Sequence, residues 1–110
     1  MKRSDITVSV ELDDNRVPDT ITWSATDGGV DNKDTKAVML SVWDADRQEL
    51  LKIDLWTKDM MMDDMKKFIH QNLLSLANVL DRSTSEEGLS NDLRQFAQYY
   101  AEKLELLPKK

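Results

Sequence analysis

After Trp56 the spacing of apolar residues changes from every second position to every third or fourth, and this switch sets the order of elements along the chain. Upstream of it, Val38, Leu40 and Val42 alternate with Met39, Ser41 and Trp43, while Leu51, Ile53 and Leu55 alternate with Lys52, Asp54 and Trp56. Both runs predict half-buried strands. A two-residue turn at Asp46 and Arg47 pairs Val42 with Leu51, Leu40 with Ile53 and Val38 with Leu55, so six apolar side chains share one face, the expected core. The opposite face pairs Trp43 with Leu50, Ser41 with Lys52, Met39 with Asp54 and Ala37 with Trp56, polar in the middle and apolar at both ends.

Two more strands are expected before this hairpin. Ile6, Val8, Val10 and Leu12 alternate with Thr7, Ser9 and Glu11, and a short run from Thr20 to Ala25 places Ile21, Trp23 and Ala25 on one side, brief enough for a sheet edge. Asp14, Asn15 and Pro18 mark a loop between them. Thr26 to Asp34, with Gly28 and Gly29, is expected to be a mobile polar connection.

Downstream, Met62, Met65, Ile69, Leu73, Leu76 and Leu80 form a stripe along a helix from about Asp59 to Arg82, with Asp59 as expected N-cap and Asp63 and Asp64 in the first turn. A second stripe, Leu89, Leu93, Phe96, Tyr100, Leu104 and Leu107, has Ser90 as expected N-cap and Pro108 as stop, with Phe96 and Tyr100 assigned to the core. Strands followed by helices predict an α+β fold: a four-stranded antiparallel sheet with two helices packed on one face, in a single domain spanning residues 1–110.

Composition narrows the function classes. The chain has no cysteine, so no disulfide framework or thiol nucleophile, and its net charge of −6 disfavours sequence-independent binding to nucleic acid or anionic lipid. No apolar run approaches the ~20 residues of a membrane helix, and the N-terminal alternation is unlike a signal-peptide core, so a cytoplasmic protein without membrane insertion is expected.

Candidate chemistry is sparse. His70 is the only histidine and lies beside Ile69 at the margin of the helix stripe, which predicts a packing residue instead of a metal ligand or base. Asp27, Asp31, Asn32 and Asp34 lack calcium-loop spacing, and Asp27-Gly28-Gly29 lacks the lysine and helix of a phosphate loop. No nucleophile, base and orienter assemble, so no enzyme activity, cofactor or metal is expected. Met60, Met61, Met62 and Met65 suit either a packed helix entry or an adaptable thioether surface. Trp43, Trp56, Met39 and Leu50, on the face turned away from the expected core, form the candidate surface for a protein partner or for self-association.

The segments NRVPDTITWSATDGGV (15–30), KAVMLSVWD (36–44), KIDLWTKDM (52–60), DMKKFIHQNL (64–73) and YAEKLEL (100–106), in this order and spacing, closely resemble the gliding motility-associated protein GldC family. One departure is Met61, near which the family pattern tends to place a proline. The resemblance implies a small, non-catalytic accessory protein of the bacterial gliding apparatus, linked to its secretion machinery and its protein partners. It supplies no ligand residues. At the level of fold alone, four strands followed by two helices in an acidic chain is also similar to SecB-type export chaperones, which hold unfolded precursors on apolar grooves.

Overall fold

The alternating segments form strands, and so does one segment without apolar alternation. The computed structural model describes residues 2–106. The chain forms two compact units, one ending at Met60 and one beginning at Met61. The first holds five strands: β1 (Ile6–Leu12), β2 (Pro18–Ala25), β3 (Val30–Thr35), β4 (Ala37–Asp44) and β5 (Glu49–Trp56). They make two antiparallel sheets, β1-β2-β3 and β4-β5. The fold is α+β with antiparallel pairing, as expected, but with five strands in two sheets where the alternation predicts one four-stranded sheet.

The additional strand is β3, inside the stretch expected to be a mobile connection. Its residues Asp31, Asn32, Lys33 and Asp34 are all exposed, so no apolar period marks it. It is held by β2: Ile21 pairs with Thr35, Thr22 with Asp34, Trp23 with Lys33 and Ala25 with Val30. The register slips between Trp23 and Ala25, where Asn32 takes a φ of 46° and its N–H donates to Ser24 Oγ at 2.9 Å. Charged residues on such an edge discourage further strand addition. With β3 in place, β2 is the central strand, not an edge, and starts at Pro18, where a proline costs no ladder bond. Its Ile21 is fully buried.

Hairpin β4-β5 has the expected register at every pair from Ala37↔Trp56 to Trp43↔Leu50, extended by Asp44↔Glu49. Residues 45–48 close it. Asp44 Oδ1 accepts from the N–H groups of Asp46 (3.1 Å) and Arg47 (3.3 Å), and Gln48 takes a φ of 54°.

The expected core face of this hairpin is not sealed. Val38 and Leu55 are half-buried, but Leu40, Val42, Leu51 and Ile53 are between 44% and 54% exposed. Burial in this unit is instead concentrated where the sheets meet, at Ile21 and at Thr57, and it fades along the hairpin toward its turn. Only Lys36 separates β3 from β4. Beside it, the Thr57 N–H donates to Lys36 O (2.8 Å) and the Lys58 N–H to Pro18 O (3.1 Å), tying the two sheets together.

The second unit is a pair of helices, α1 (Met62–Thr84) and α2 (Glu87–Lys103), joined by Ser85 and Glu86. So short a link makes them antiparallel neighbours. Asp59 is not the cap of α1, because its carboxylate is engaged by Thr57 and Lys36. Met61 caps the helix with extended backbone and no side-chain bond, while Asp63 and Asp64 occupy the first turn as expected. Helix α1 ends when Ser85 adopts a left-handed conformation and its N–H donates to Asp81 O. Ser90 is likewise not a cap: Glu86 holds that position, and Ser90 lies buried in α2 with its hydroxyl donating to Glu86 O at 3.0 Å. Leu107 and Pro108, expected to end this helix, lie outside the described residues.

Small residues take the fully buried positions of the helix pair. Ala77, Ser90, Ala97 and Ala101 are fully buried. Ala77 follows Leu76 and Ala97 follows Phe96, so the contact runs about 100° around each helix from those larger side chains. Leu76, Leu89 and Phe96 are more than half exposed, as is Met62, which corrects the assignment of Phe96 to the core, whereas Met65, Ile69, Leu73, Leu80, Leu93, Tyr100 and Leu104 of the two stripes are half-buried. Tyr100 is half-buried and donates from its hydroxyl to Lys66 O at 3.2 Å, with the His70 ring stacked on it at 6.1 Å. Arg94 closes the polar side of the pair, donating to Asn78 (3.1 Å), Asp81 (3.0 Å) and Asn91 (2.9 Å).

Candidate interaction surface

Strand alternation sends Met39, Ser41 and Trp43 of β4 to the same face as Leu50, Lys52, Asp54 and Trp56 of β5. The four sequence-predicted residues therefore share one face, but not one patch. Trp43 stands opposite Leu50 near the turn, whereas Trp56 stands opposite Ala37, six positions back along β4 and about 20 Å away. Trp43 is 61% exposed, Leu50 56% and Trp56 54%; Met39 is half-buried. An ion pair between Lys52 and Asp54 lies between the two tryptophans and supplies the polar middle.

The distal patch, Trp43 with Leu50, is an apolar tip on a polar stem, suited to insertion into a partner's pocket. The proximal tryptophan has other neighbours. With Arg16, Val17, Pro18, Asp54, Leu55 and Lys58, Trp56 lines a cleft of about 300 Å³.

Behind this cleft is a charged clasp that the alternation does not announce. Lys58 Nζ lies 3.3 Å from Asp13 Oδ2 and 3.1 Å from Asp19 Oδ1; Lys36 Nζ lies 2.9 Å from Asp59 Oδ2. The hydroxyl of the buried Thr57 donates to Asp59 Oδ1 at 2.5 Å. The Val17 N–H above all, with those of Asn15 and the Lys58 ammonium, holds the Asp13 carboxyl below its ordinary value. The Thr57 hydroxyl and then Lys36 do the same for Asp59. In return Asp59 raises Lys36, and Asp19 and then Asp13 raise Lys58. These contacts fix the Thr57-Lys58-Asp59 segment by which Trp56 leaves the sheet. The three polar residues directly after an apolar strand were the available signal.

Sequence reasoning also missed the exposure of Leu40, Val42, Leu51 and Ile53, so the hairpin exposes apolar side chains on both faces. Met61 and Met62 are exposed, in keeping with the thioether-surface alternative. Among the described residues no three His, Asp or Glu side chains converge in a metal-binding group. A shallow depression of about 510 Å³ on the helix pair, lined by Gln71, Leu74, Ser75, Asn78, Arg82 and the Asp81–Arg94 ion pair, is open to solvent. Among the described residues no helix is long and apolar enough to cross a membrane.

A family model described as "Gliding motility-associated protein GldC-like" matches residues 18–106, from the first residue of β2 to the end of the described chain. No curated protein and no solved structure gives a significant match. With the strand unit from β2 onward and the whole helix pair inside the match, the chain belongs to the gliding motility-associated GldC-like family.

Proposed function

We propose that this protein is a non-catalytic accessory subunit of the bacterial gliding apparatus, acting from the cytoplasm alongside the associated secretion machinery, and that the β4-β5 hairpin is its partner-binding element. Family membership supports the gliding assignment. The observation that carries the binding role is the exposed pair Trp43 and Leu50 at the hairpin tip, with Trp56 at its base. A hairpin held at one end by a charged clasp presents such side chains on a backbone that loses little freedom on binding. Affinity capture of the tagged chain after crosslinking in its own cells tests the reading. One or two defined motility or secretion components, lost when Trp43 is replaced by Ser, support it; their retention in full by that variant refutes the tip as the binding site.

The apolar exposure on both faces of the hairpin also favours a second reading, a SecB-like holder of unfolded envelope precursors. That activity predicts a broad set of captured precursors and suppression of aggregation of a denatured substrate at stoichiometric protein. A failure to slow aggregation at a several-fold molar excess removes this reading.

A further inference from the structure

We propose that two copies of this chain associate edge to edge, strand β1 of one pairing antiparallel with β1 of the other about a two-fold axis at Ser9. Strand β1 is an end strand of its sheet, and among the described residues its backbone bonds run only to β2, which leaves its outer row of N–H and C=O groups without a strand. Such a row is a template for another strand unless something blunts it. The other end of the same sheet is blunted: β3 exposes Asp31, Lys33 and Asp34 and turns to positive φ at Asn32. In β1 there is no proline and no lysine, the one charge is Glu11, and the ladder with β2 is regular from Ile6 to Glu11, shifting only at Leu12. The chain's own helix pair cannot supply the missing partner, wherever it lies, because the backbone groups inside a helix are bonded to one another. The pairing uses neither Trp43 nor Trp56, so it stands or falls apart from the role assigned to the hairpin.

Register selects a second copy as the occupant. With Ser9 on the axis, Val8 of each copy lies opposite Val10 of the other, Thr7 opposite Glu11 and Ile6 opposite Leu12, so the whole strand pairs, apolar with apolar and polar with polar. Ile6 is 74% exposed and Leu12 48% in the single chain, and this pairing brings each against the other. Closure agrees. The two three-stranded sheets become one, in the order β3-β2-β1-β1-β2-β3, which ends on both sides in the charged β3 and stops at two copies. Strand β1 on the β3 edge of a neighbour would instead repeat as a filament, plain edge against charged edge. The nearly uncharged β4 belongs to a two-stranded ribbon, whose stronger twist matches a three-stranded sheet poorly. About six new backbone hydrogen bonds, in a contact smaller than the roughly 800 Å² per partner of a standard interface, predict a reversible dimer in the micromolar range.

Charge placed on the axis tests the pairing. Ser9 is exposed and pairs with Thr22 of β2, so the single chain tolerates either sign there. Sedimentation of the parent should show a reversible equilibrium between 12.7 kDa and twice that mass. Ser9→Lys and Ser9→Glu, each alone, should weaken the dimer by about fivefold or more, because like charges meet directly across the axis. Mixing the two variants should restore it to at least the strength of the parent. The chain has no cysteine, so a short bis-maleimide should join Ser9→Cys into a covalent dimer while Lys33→Cys, on the β3 edge, gives none. Trp43→Ser should leave the association unchanged. Circular dichroism identifies any charge variant that fails to fold, and the Ser9→Cys crosslink then decides alone. A parent that stays monomeric up to about 0.2 mM overturns the proposal. So do Ser9→Lys and Ser9→Glu chains that associate no better mixed than apart, and so does a Ser9→Cys chain that crosslinks no faster than Lys33→Cys.

Discussion

Replacing Ala97 by Leu discriminates between a helix pair held by its large apolar stripe and one held by small residues. On the stripe, Phe96 is the contact residue and Ala97 a flanking position where Leu would be tolerated. In the structure Ala97 is fully buried and Phe96 is 52% exposed. Leu is nearly as good a helix former as Ala, so propensity contributes only a few tenths of a kcal/mol and the change reports packing. Three added carbons at a site with no free surface must push the helices apart or force strained rotamers, at a cost of about 1–3 kcal/mol. In a domain of this size each kcal/mol shifts the thermal midpoint by roughly 4–8 °C. Thermal unfolding followed by far-ultraviolet circular dichroism should therefore show a fall of at least about 4 °C for Ala97→Leu, while Gln95→Leu, on an exposed position of the same helix, stays within about 0.5 kcal/mol of the parent. Equal midpoints for Ala97→Leu and Gln95→Leu would refute the close contact through small residues.

Three further outcomes follow from the same structure. Ile21→Ala removes a fully buried side chain from the central strand and should cost about 2–5 kcal/mol in denaturant unfolding; a loss below about 1 kcal/mol would mean that the core of the strand unit lies elsewhere. Because Asp13 and Asp59 titrate below the ordinary 3.8, their stabilisation is present above that pH and lost as pH falls through their lower folded values; Lys36 and Lys58, raised above 10.5, stabilise below that pH and lose the contribution as pH rises through their folded values. Lys36, Lys58 and Asp59 are solvent-exposed and Asp13 is partly so, so both limbs should be shallow and shrink in high salt; Thr57→Val should bring the Asp59 carboxyl back toward 3.8 in a nuclear magnetic resonance titration, and an unmoved value would contradict the hydroxyl's role. Trp43→Ser and Trp56→Ser should reduce partner capture with the thermal midpoint nearly unchanged, since both rings are more than half exposed; a large loss of stability would identify them as packing residues.

Alternation made the β4-β5 register legible because Val38, Leu40, Val42 and Trp43 each have an apolar cross-strand partner. It said nothing of β3, whose Asp31, Asn32, Lys33 and Asp34 face solvent and are ordered by pairing with β2, a tertiary effect without local signature. The helix period was equally plain, but a stripe records which side chains are apolar, not which ones a neighbouring helix reaches. Alanine scores weakly as apolar and yet allows the closest approach, so Ala77, Ala97 and Ala101 escaped notice while Leu76 and Phe96 drew the assignment. Capping failed for a related reason. Asp59 and Ser90 are good cap residues, but Thr57 and Lys36 claim the first and the helix contact buries the second. Of the candidate surface, the shared face of Trp43, Leu50, Met39 and Trp56 was legible from the pleat; the clasp was not, because Asp13 and Lys58 are 45 residues apart in sequence.

That separation has a kinetic consequence. The β1-β2 and β4-β5 pairs are local hairpins, able to form within microseconds from near neighbours. Bringing Lys58 to Asp13 closes a much longer loop, whose entropy must be lost before any of the clasp bonds can return it. The clasp should therefore form after the main barrier to folding, and its substitutions should accelerate unfolding while leaving the refolding rate almost unchanged.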